Sequence, residues 1–203
     1  SKINTYLHIF IFSAIILFVA TVVAAAHADD QFNCPEMNVM TDFNVEKYLG
    51  VWYENQRYPN AFEVLGRCIS AKYGLNDDGT VSVSNRAFNI LFQKWDEITG
   101  TASVVAPGKL QPANYWILGT DYTNYAVVYS CSNFKFIKGL WILTREINPS
   151  EEVIETALKV LDKNGLTRDI LQKTYQKTFL RGHATIKTHN SVNFWNFFSV
   201  KYA

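Results

Sequence analysis

One stretch of the sequence decides the fold, and it reads Asn44-Val45-Glu46-Lys47-Tyr48-Leu49-Gly50-Val51-Trp52-Tyr53-Glu54. Its last part, together with Asn55, is rich in β-branched and aromatic residues, which predicts a first strand over Val51–Asn55. Gly50 stands directly before that strand, and Pro59 and Gly66 punctuate the long loop that follows it. The chain therefore enters a β-structure near residue 50.

Further runs of strand-forming residues follow at short intervals. They are Cys68–Leu75, Thr80–Phe88, Trp95–Val105, Tyr115–Asp121, Tyr125–Ser132 and Leu140–Thr144. Asp78-Gly79 joins the first two of these runs, and this pair is a strong hairpin signal because glycine accepts the positive φ that the turn requires. Short strands with short connections favour a sandwich or an up-and-down barrel over parallel β-α-β units.

The strands then give way to one helix. Asn148-Pro149-Ser150-Glu151-Glu152 offers capping side chains and acidic residues for a first turn, and Asn164-Gly165 supplies a stop. The apolar residues between them recur at helical spacing: Val153, Ile154, Ala157, Leu158 and Leu161. We predict an amphipathic helix of about four turns, followed by one last strand over Asp169–Thr178.

The composition limits the kinds of partner. Of 203 residues, 48% are hydrophobic and 18% are charged, so the chain can form one core or line one apolar cavity. A formal net charge of +1 gives no field that would attract nucleic acid. The sequence has no phosphate loop, no metal-ligand spacing and no Gly-x-Ser-x-Gly motif. All four histidines lie outside the predicted folded domain, at His8, His27, His183 and His189. We expect no metal, no other cofactor and no nucleic-acid partner.

The first residues have the pattern of a targeting signal. Lys2 precedes an uncharged apolar run, Ile9–Ala26, and Ala26-His27-Ala28 is a small-x-small cleavage site. We predict a signal peptide at residues 1–28 and a secreted, extracellular protein. The alternative is a membrane anchor, since the run approaches the roughly 18 to 20 residues that a span needs. Secretion would expose three cysteines to an oxidising compartment, where an odd count leaves one thiol over.

Three short motifs in order resemble those of the lipocalin family, in its branch of apolipoprotein D and insect bilin-binding (Lazarillo-like) proteins. Gly50-Val51-Trp52 resembles the first motif, Thr120-Asp121-Tyr122 the second, and Arg145 the third. The resemblance covers roughly Cys34 to Thr178. It implies a mostly β fold, an eight-stranded up-and-down antiparallel barrel with one C-terminal helix. We therefore place one lipocalin domain at residues 29–178 and an atypical tail at 179–203.

The same motifs predict where the barrel closes and what lines it. Trp52 and Arg145 suit a barrel floor, because a guanidinium can stack over an indole and donate to nearby carbonyls. If both point inward, alternation along the strands and the family resemblance together select the predicted ligand-binding set. That set is Ala71, Tyr73, Tyr115, Ile117, Tyr129, Trp141 and Leu143. Such a pocket favours a flat or flexible apolar ligand with one or two polar groups.

The cysteines and the fifth strand depart from the family pattern. By resemblance Cys34 pairs with Cys131. Cys68 normally has a partner in the tail of this branch, but no cysteine follows Cys131 here, so the thiol of Cys68 is predicted to be left over. Between Val105 and Tyr115 the sequence holds two prolines and a glycine. We therefore expect the fifth strand to be missing and the barrel to be incompletely closed on that side.

The resemblance implies extracellular binding and transport or sequestration of a small hydrophobic ligand, such as a tetrapyrrole, fatty acid, steroid or retinoid, without catalysis. One alternative is a thiol-dependent isomerase of the lipocalin type with Cys68 as nucleophile, although Arg67 is the only obvious cation that would lower the pKa of that thiol. Another is weak membrane or lipoprotein association through the aromatic tail segment Phe194-Trp195-Asn196-Phe197-Phe198.

Overall fold

The structure is a computed structural model that describes residues 34–60, 63–112, 114–132 and 137–177, together with Ile15. The predicted signal peptide, Ile15 apart, and the predicted tail lie outside these residues. Within the described part of the chain, no helix is both long and apolar enough to cross a membrane. The elements below lie in one compact unit that spans Met37–Ser132 and continues from Ile137.

Nine strands and two helices make up this unit of the described chain. The strands are β1 (Gly50–Arg57), β2 (Gly66–Leu75), β3 (Val81–Asn89), β4 (Lys94–Ala106), β5 (Lys109–Gln111), β6 (Tyr115–Thr120), β7 (Tyr125–Ser132), β8 (Ile137–Thr144) and β9 (Gln172–Lys173). The helices are α1 (Val45–Tyr48) and α2 (Glu151–Lys163). The last strand was predicted over Asp169–Thr178, and among the described residues of this range only Gln172–Lys173 (β9) form a strand.

Strands β1 to β8 form a closed barrel. Each pairs antiparallel with the next along the chain, and β1 pairs with both β8 and β2, so the sheet returns on itself. β9 lies outside this ring and pairs with β1. The predicted eight-stranded barrel with one C-terminal helix is confirmed.

The prediction of a missing fifth strand is wrong. β5 is present and pairs antiparallel with both β4 and β6, with Leu110 opposite Val104 and Tyr115. Pro107 and Gly108 occupy the turn between β4 and β5 rather than a strand, and Gly108 has φ +66°. Proline followed by a positive-φ glycine suits the two central positions of a type II turn. The barrel therefore has no open edge between β4 and β6.

Antiparallel order places the connections alternately at the two ends of the barrel. At one end, called the floor end here, lie α1 and the turns at residues 76–80, 107–108 and 121–124. At the other, called the mouth end, lie residues 90–93 and the described parts of two further loops, the loop at residues 58–65 (described at 58–60 and 63–65) and the loop that contains Pro112 and Asn114.

The segment that contains β9 seals a seam between β1 and β2. The two strands pair directly over Gly50–Tyr53. Beyond that point Gln176 Nε2 donates to the carbonyls of Glu54 and Ile69, at 2.6 and 2.9 Å, and so links the two strands. The backbone amide of Thr174 donates to the carbonyl of Asn55 on β1, and the backbone amide of Cys68 on β2 donates to the carbonyl of Tyr175. The wall of the barrel is thus completed by residues 172–176.

Helix α2 covers the outside of the barrel. Ser150 caps it by accepting from the Val153 backbone amide, and two acidic residues follow in the first turn, where they favour the helix dipole. Its apolar side, with Ala157, Leu158 and Leu161 buried, packs on β6 and β7. A second, separate apolar cluster lies inside the barrel and is called the interior cluster here. Its buried members are Tyr48, Trp52, Ala71, Tyr73, Val81, Leu110, Ile117, Ala126, Val128 and Leu143.

Candidate functional site

The floor end is closed by Arg145 and Trp52. The guanidinium carbon lies 3.7 Å from the centroid of the indole ring, which is a cation–π stack. The guanidinium also donates to the carbonyls of Tyr122 and Val51, at 3.0 and 2.8 Å. Its Nη2 atom donates to three consecutive carbonyls, those of residues 47–49 in and after α1. One side chain therefore ties α1, β1 and the turn at residues 121–124 together.

The turn at residues 121–124 is built to present a carbonyl to Arg145. Asp121 Oδ1 accepts from the backbone amides of Thr123, Asn124 and Tyr125. Burial raises the pKa of the Asp121 carboxyl, but these hydrogen bonds, with one from the Asn124 side chain, outweigh it and hold the pKa below its usual range. Tyr122 then adopts φ +67°. The motif Thr120-Asp121-Tyr122 thus acts through turn geometry.

Six of the seven predicted ligand-binding residues lie in or against the interior cluster. Ala71, Tyr73, Ile117 and Leu143 are buried members of it, while Tyr115 and Trp141 pack against it and remain half-buried. The structure brings these six together from β2, β6 and β8, three strands that are not all neighbours.

The structure does not bring Tyr129 to the interior cluster. Tyr129 lies opposite Trp116 in the register of β6 and β7, and the two rings are 6.0 Å apart. Val128, the residue before it, is in the interior cluster, so alternation turns Tyr129 to the outer face. Tyr129 is therefore corrected from a lining residue to a residue of the outer face.

Three tyrosine hydroxyls meet inside the barrel. The Tyr115 hydroxyl lies 2.8 Å from that of Tyr73 and 3.1 Å from that of Tyr48. Burial raises the pKa of Tyr73 to about 12 and raises the pKa values of Tyr48 and Tyr115 well above the ordinary value for tyrosine, so all three phenols stay protonated at neutral pH. Sequence reasoning missed Tyr48, although its place two residues before Gly50 puts it beside the first motif. We call these residues the tyrosine triad.

Trp141 reaches from the interior toward the mouth end. A side chain at Gly139 would collide with the indole, since a Cβ there would lie 2.2 Å from the ring. The glycine thus leaves the space that the indole occupies. The indole nitrogen donates to the Glu63 carboxylate, at 3.3 Å, in the loop at residues 58–65. Trp141 therefore couples the barrel interior to a mouth loop.

A buried ionic network lies at the same end. Arg57 Nη1 donates to Glu54 Oε1 at 2.6 Å, and Arg57 Nε lies 3.3 Å from Glu63 Oε2. The Thr174 hydroxyl accepts from Arg57 and donates to Glu54. Burial first, and then repulsion from Glu63, raise the pKa of Glu54 to about 7 despite Arg57. Sequence reasoning missed this network, which we call the mouth network.

The cysteines stand as follows. Cys34 and Cys131 are disulfide-bonded, which confirms the predicted pair. Cys68 lies on β2 with φ 51° and donates its backbone amide to the carbonyl of Tyr175. The state of its thiol stays a prediction. Among the residues that the structure describes, no group of three or more His, Cys, Asp or Glu could hold a metal ion.

A closed antiparallel barrel of eight strands is the architecture of proteins that hold one small ligand inside the barrel, in an interior called a calyx. The chain belongs to the lipocalin family: the model of the lipocalin-like domain matches residues 43–176. Members of this family are ligand-binding and transport proteins rather than enzymes, which removes support from the isomerase alternative.

Individual relatives agree with this assignment. Apolipoprotein D of Mus musculus is 37% identical over 157 residues, which cover 70% of this chain and 82% of the relative. Lazarillo protein of Schistocerca americana is 31% identical over 162 residues, covering 70% and 76%. Among solved structures, the cockroach allergen Per a 4 superposes with a TM-score of 0.65 at 26% identity, covering 71% of this chain and 96% of that one. The predicted branch is confirmed.

Proposed function

We propose that this protein binds a small hydrophobic ligand in its calyx and carries or sequesters it outside the cell. The observation that supports this most directly is the state of Tyr115 and Trp141. Both pack against the interior cluster, yet neither side chain is completely buried, so part of their aromatic surface remains available for a contact. Aromatic rings that line a concave site with a few polar groups are typical of small-molecule pockets.

The ligand classes that we propose are tetrapyrroles, fatty acids, steroids and retinoids. The interior cluster consists of apolar and aromatic side chains, which suit the apolar part of any of these molecules. Ala71, Tyr73, Ile117 and Leu143 are the residues that we propose as the apolar lining, with Tyr115 and Trp141 as the aromatic contacts.

The test is a titration of the mature protein with biliverdin, a retinoid, a fatty acid and a steroid, followed by tryptophan fluorescence. We expect saturable quenching at one site by at least one of the four. Trp141→Ala should weaken that binding at least tenfold, about 1.4 kcal/mol. Trp116→Ala is the matched control, because Trp116 shares the outer face with Tyr129. Unsaturable quenching by all four ligands would refute the proposal.

A weak association with anionic lipid surfaces is a second proposal, supported by an apolar rim at the mouth end. The rim consists of Val64, Leu65, Ile90, Leu91 and Phe92, all exposed, with Leu91 and Phe92 more than 60% exposed. A backbone hydrogen bond from Ile90 to Leu65 joins its two loops. Lys94 lies 5.8 Å from the Phe92 ring, and Arg67 and Arg86 lie on the adjoining strands. Exposed apolar side chains flanked by cations suit insertion among anionic headgroups.

Vesicles test this second proposal. We expect the protein to sediment with vesicles that contain phosphatidylserine and to bind pure phosphatidylcholine vesicles more weakly. The double variant Leu91→Ser, Phe92→Ser should lose the vesicle binding and keep the calyx binding. Equal sedimentation of the wild type and the double variant would contradict the rim as the contact surface.

A further inference from the structure

A groove lies on the outer side of the barrel, between the sheet and the start of α2. Its walls are the last part of β1, β9, the segment that follows β8 and the first two turns of α2, and its volume is about 380 Å³. This volume is near the lower end of the range of about 300–1,000 Å³ that is usual for binding pockets. The groove therefore admits a few side chains and not a folded domain.

Part of the groove is lined by apolar side chains that remain accessible. Ile147 is 40% exposed, and Pro149 and Ile154 are half-buried. Ile154 precedes the buried residues of α2, which begin at Ala157 and pack on the barrel. Apolar surface of this kind gains free energy when another apolar group covers it.

The charged residues of the groove are mostly acidic. Glu151 and Glu155 line it together with one basic residue, Lys173, and all three are exposed. Arg168 lies 3.4 Å from Glu155, but it is shared with Asp162, to which its Nε donates at 2.9 Å. Glu151 is thus the carboxylate of the groove that best suits an additional cation.

The sequence that follows Lys177 has the complementary composition. Residues 178–203 contain three basic residues, Arg181, Lys187 and Lys201, and no acidic residue. They also contain the aromatic segment Phe194-Trp195-Asn196-Phe197-Phe198. Aromatic residues clustered in this way usually mark a contact surface, because their exposure to water is unfavourable. Basic and aromatic side chains match a groove that is acidic and partly apolar.

The chain leaves the described residues beside this groove. Its described part ends at Lys177, four residues after Lys173, and four residues span at most about 14 Å. Phe194 follows 17 residues later, and an extended chain of that length spans at most about 60 Å, so the aromatic segment can return to the groove. A tether of this kind gives an effective concentration of about millimolar, and a weak contact is then enough for docking.

We propose that the aromatic segment, residues 194–198, docks in the groove of its own molecule. Its rings cover the apolar side chains of the groove, and Lys201 lies beside Glu151. The inference goes beyond the proposed function, because it concerns the outer side of the barrel and not the calyx. A docked tail also holds residues 172–176 in the seam between β1 and β2, since the tail continues directly from them.

The first test measures the exposure of Trp195 in the full-length mature protein. Tryptophan is replaced by 5-fluorotryptophan, the fluorine resonance of Trp195 is assigned with Trp195→Phe, and its broadening by a dissolved gadolinium chelate is recorded. We expect Trp195 to be protected from the chelate in the wild type. Ile154→Ser should weaken docking about tenfold and restore the broadening. Ile170→Ser is the matched control, at an exposed isoleucine outside the groove, and should leave Trp195 protected.

A second pair of variants tests the charge. Glu151 and Glu152 both lie exposed in the first turn of α2, but only Glu151 lines the groove. Glu151→Lys and Glu152→Lys should therefore disturb the helix dipole alike, and only Glu151→Lys should expose Trp195. An independent readout is a carbodiimide cross-link between Glu151 and Lys201, which we expect within single molecules and locate by peptide mapping.

Three results would overturn the proposal. The first is equal broadening of the Trp195 resonance in the wild type and in Ile154→Ser, with α2 intact by circular dichroism. The second is cross-links only between molecules, which would assign the groove to the tail of a second copy. The third is protection of Trp195 only in the presence of phosphatidylserine vesicles, which would assign the tail to a lipid surface. All three leave the calyx function to its own titration.

Discussion

At the floor end of the barrel Arg145 donates to backbone carbonyls from three segments, whereas at the mouth end Arg57 is held between two carboxylates, Glu54 and Glu63. Carbonyl oxygens do not titrate, and carboxylates do. The contacts that Arg145 makes at the floor are therefore unchanged by pH, while those that Arg57 makes at the mouth can be altered by pH. The barrel thus combines a floor contact that does not depend on pH with a mouth contact that does.

The largest effect on the floor contacts is expected from Arg145→Ala. We expect a loss of about 3–5 kcal/mol in the free energy of unfolding, because the change removes a cation–π stack and leaves five carbonyl contacts without their donor. Arg145→Lys keeps the charge without the planar fork and should recover only part of the loss. Denaturant unfolding measures both variants.

The control for this variant is Arg86→Ala. Arg86 also stacks on an indole, that of Trp95 at 4.2 Å, but it is exposed. Its loss should change the free energy of unfolding by no more than about 1 kcal/mol. Similar losses for Arg145→Ala and Arg86→Ala would show that the carbonyl contacts at the floor contribute little.

Two glycines at the floor end allow a matched comparison. Gly108 and Gly79 both have positive φ, +66° and +80°, but a Cβ at Gly108 would lie 2.7 Å from the carbonyl oxygen of Met40, while at Gly79 it would meet nothing within 4 Å. Gly79→Ala should cost about 1 kcal/mol for the backbone conformation alone. Gly108→Ala should cost about 2–3 kcal/mol, because backbone must also move. Equal thermal unfolding temperatures in the two variants would contradict this.

The mouth network should make the free energy of unfolding depend on pH near neutrality, whereas the contacts of Arg145 at the floor should not. The pKa of Glu54, about 7 in the folded protein, lies above the value of about 4.3 expected in the unfolded chain. The stabilisation linked to protonation of Glu54 is therefore complete below about pH 4.3 and is lost as pH rises through about 7. Glu54→Gln should remove this fall, which we expect to be on the order of 1–3 kcal/mol. Urea unfolding from pH 5 to 8 measures it.

Two comparisons sharpen that experiment. Glu46→Gln removes an exposed carboxylate on α1 and should leave the slope unchanged. Asp121 acts in the opposite direction and in another range, since its lowered pKa makes stability fall only when pH drops through that value, below the window of Glu54. A wild type whose stability does not change between pH 5 and 8 would contradict the assignment to Glu54.

The smallest effect on stability is expected at the rim. Leu91→Ser and Phe92→Ser should each change the free energy of unfolding by no more than about 0.5 kcal/mol, because both side chains are more than 60% exposed. A loss above about 1.5 kcal/mol in thermal unfolding would show that the rim supports the fold, and would place its role in packing instead of surface contact.

The floor could be predicted from the sequence because the residues that form it belong to short sequence motifs. Trp52 and Arg145 indicated a stacked pair, and the capping and acidic side chains of residues 148–152 indicated where α2 begins. Alternation along single strands and the family resemblance selected seven lining residues, and six of them lie in or against the interior cluster. A feature that depends on alternation along one strand, or on the residues of one turn, can be predicted without knowing which strands pair.

Errors arose where the register between strands matters. Tyr129 was placed inside because alternation was counted separately on two strands, but the pairing sets Tyr129 opposite Trp116 and Val128 opposite Ile117. A shift of one residue in this register exchanges the faces. Pro107 and Gly108 were read as breaking a strand, although a strand of three residues, β5, fits after their turn. The mouth network was missed because Arg57 and Thr174 are 117 residues apart in sequence.

The seam between β1 and β2 has a consequence for the order in which the protein can be completed during synthesis. Residues 172–176 supply the hydrogen bonds that join these two early strands beyond Tyr53. A nascent chain that has released β1 to β8 but still holds residue 172 in the ribosome can form a sheet whose wall is open along that seam. Emergence of some five further residues closes this seam, so the barrel wall is complete only when residues 172–176 have left the ribosome.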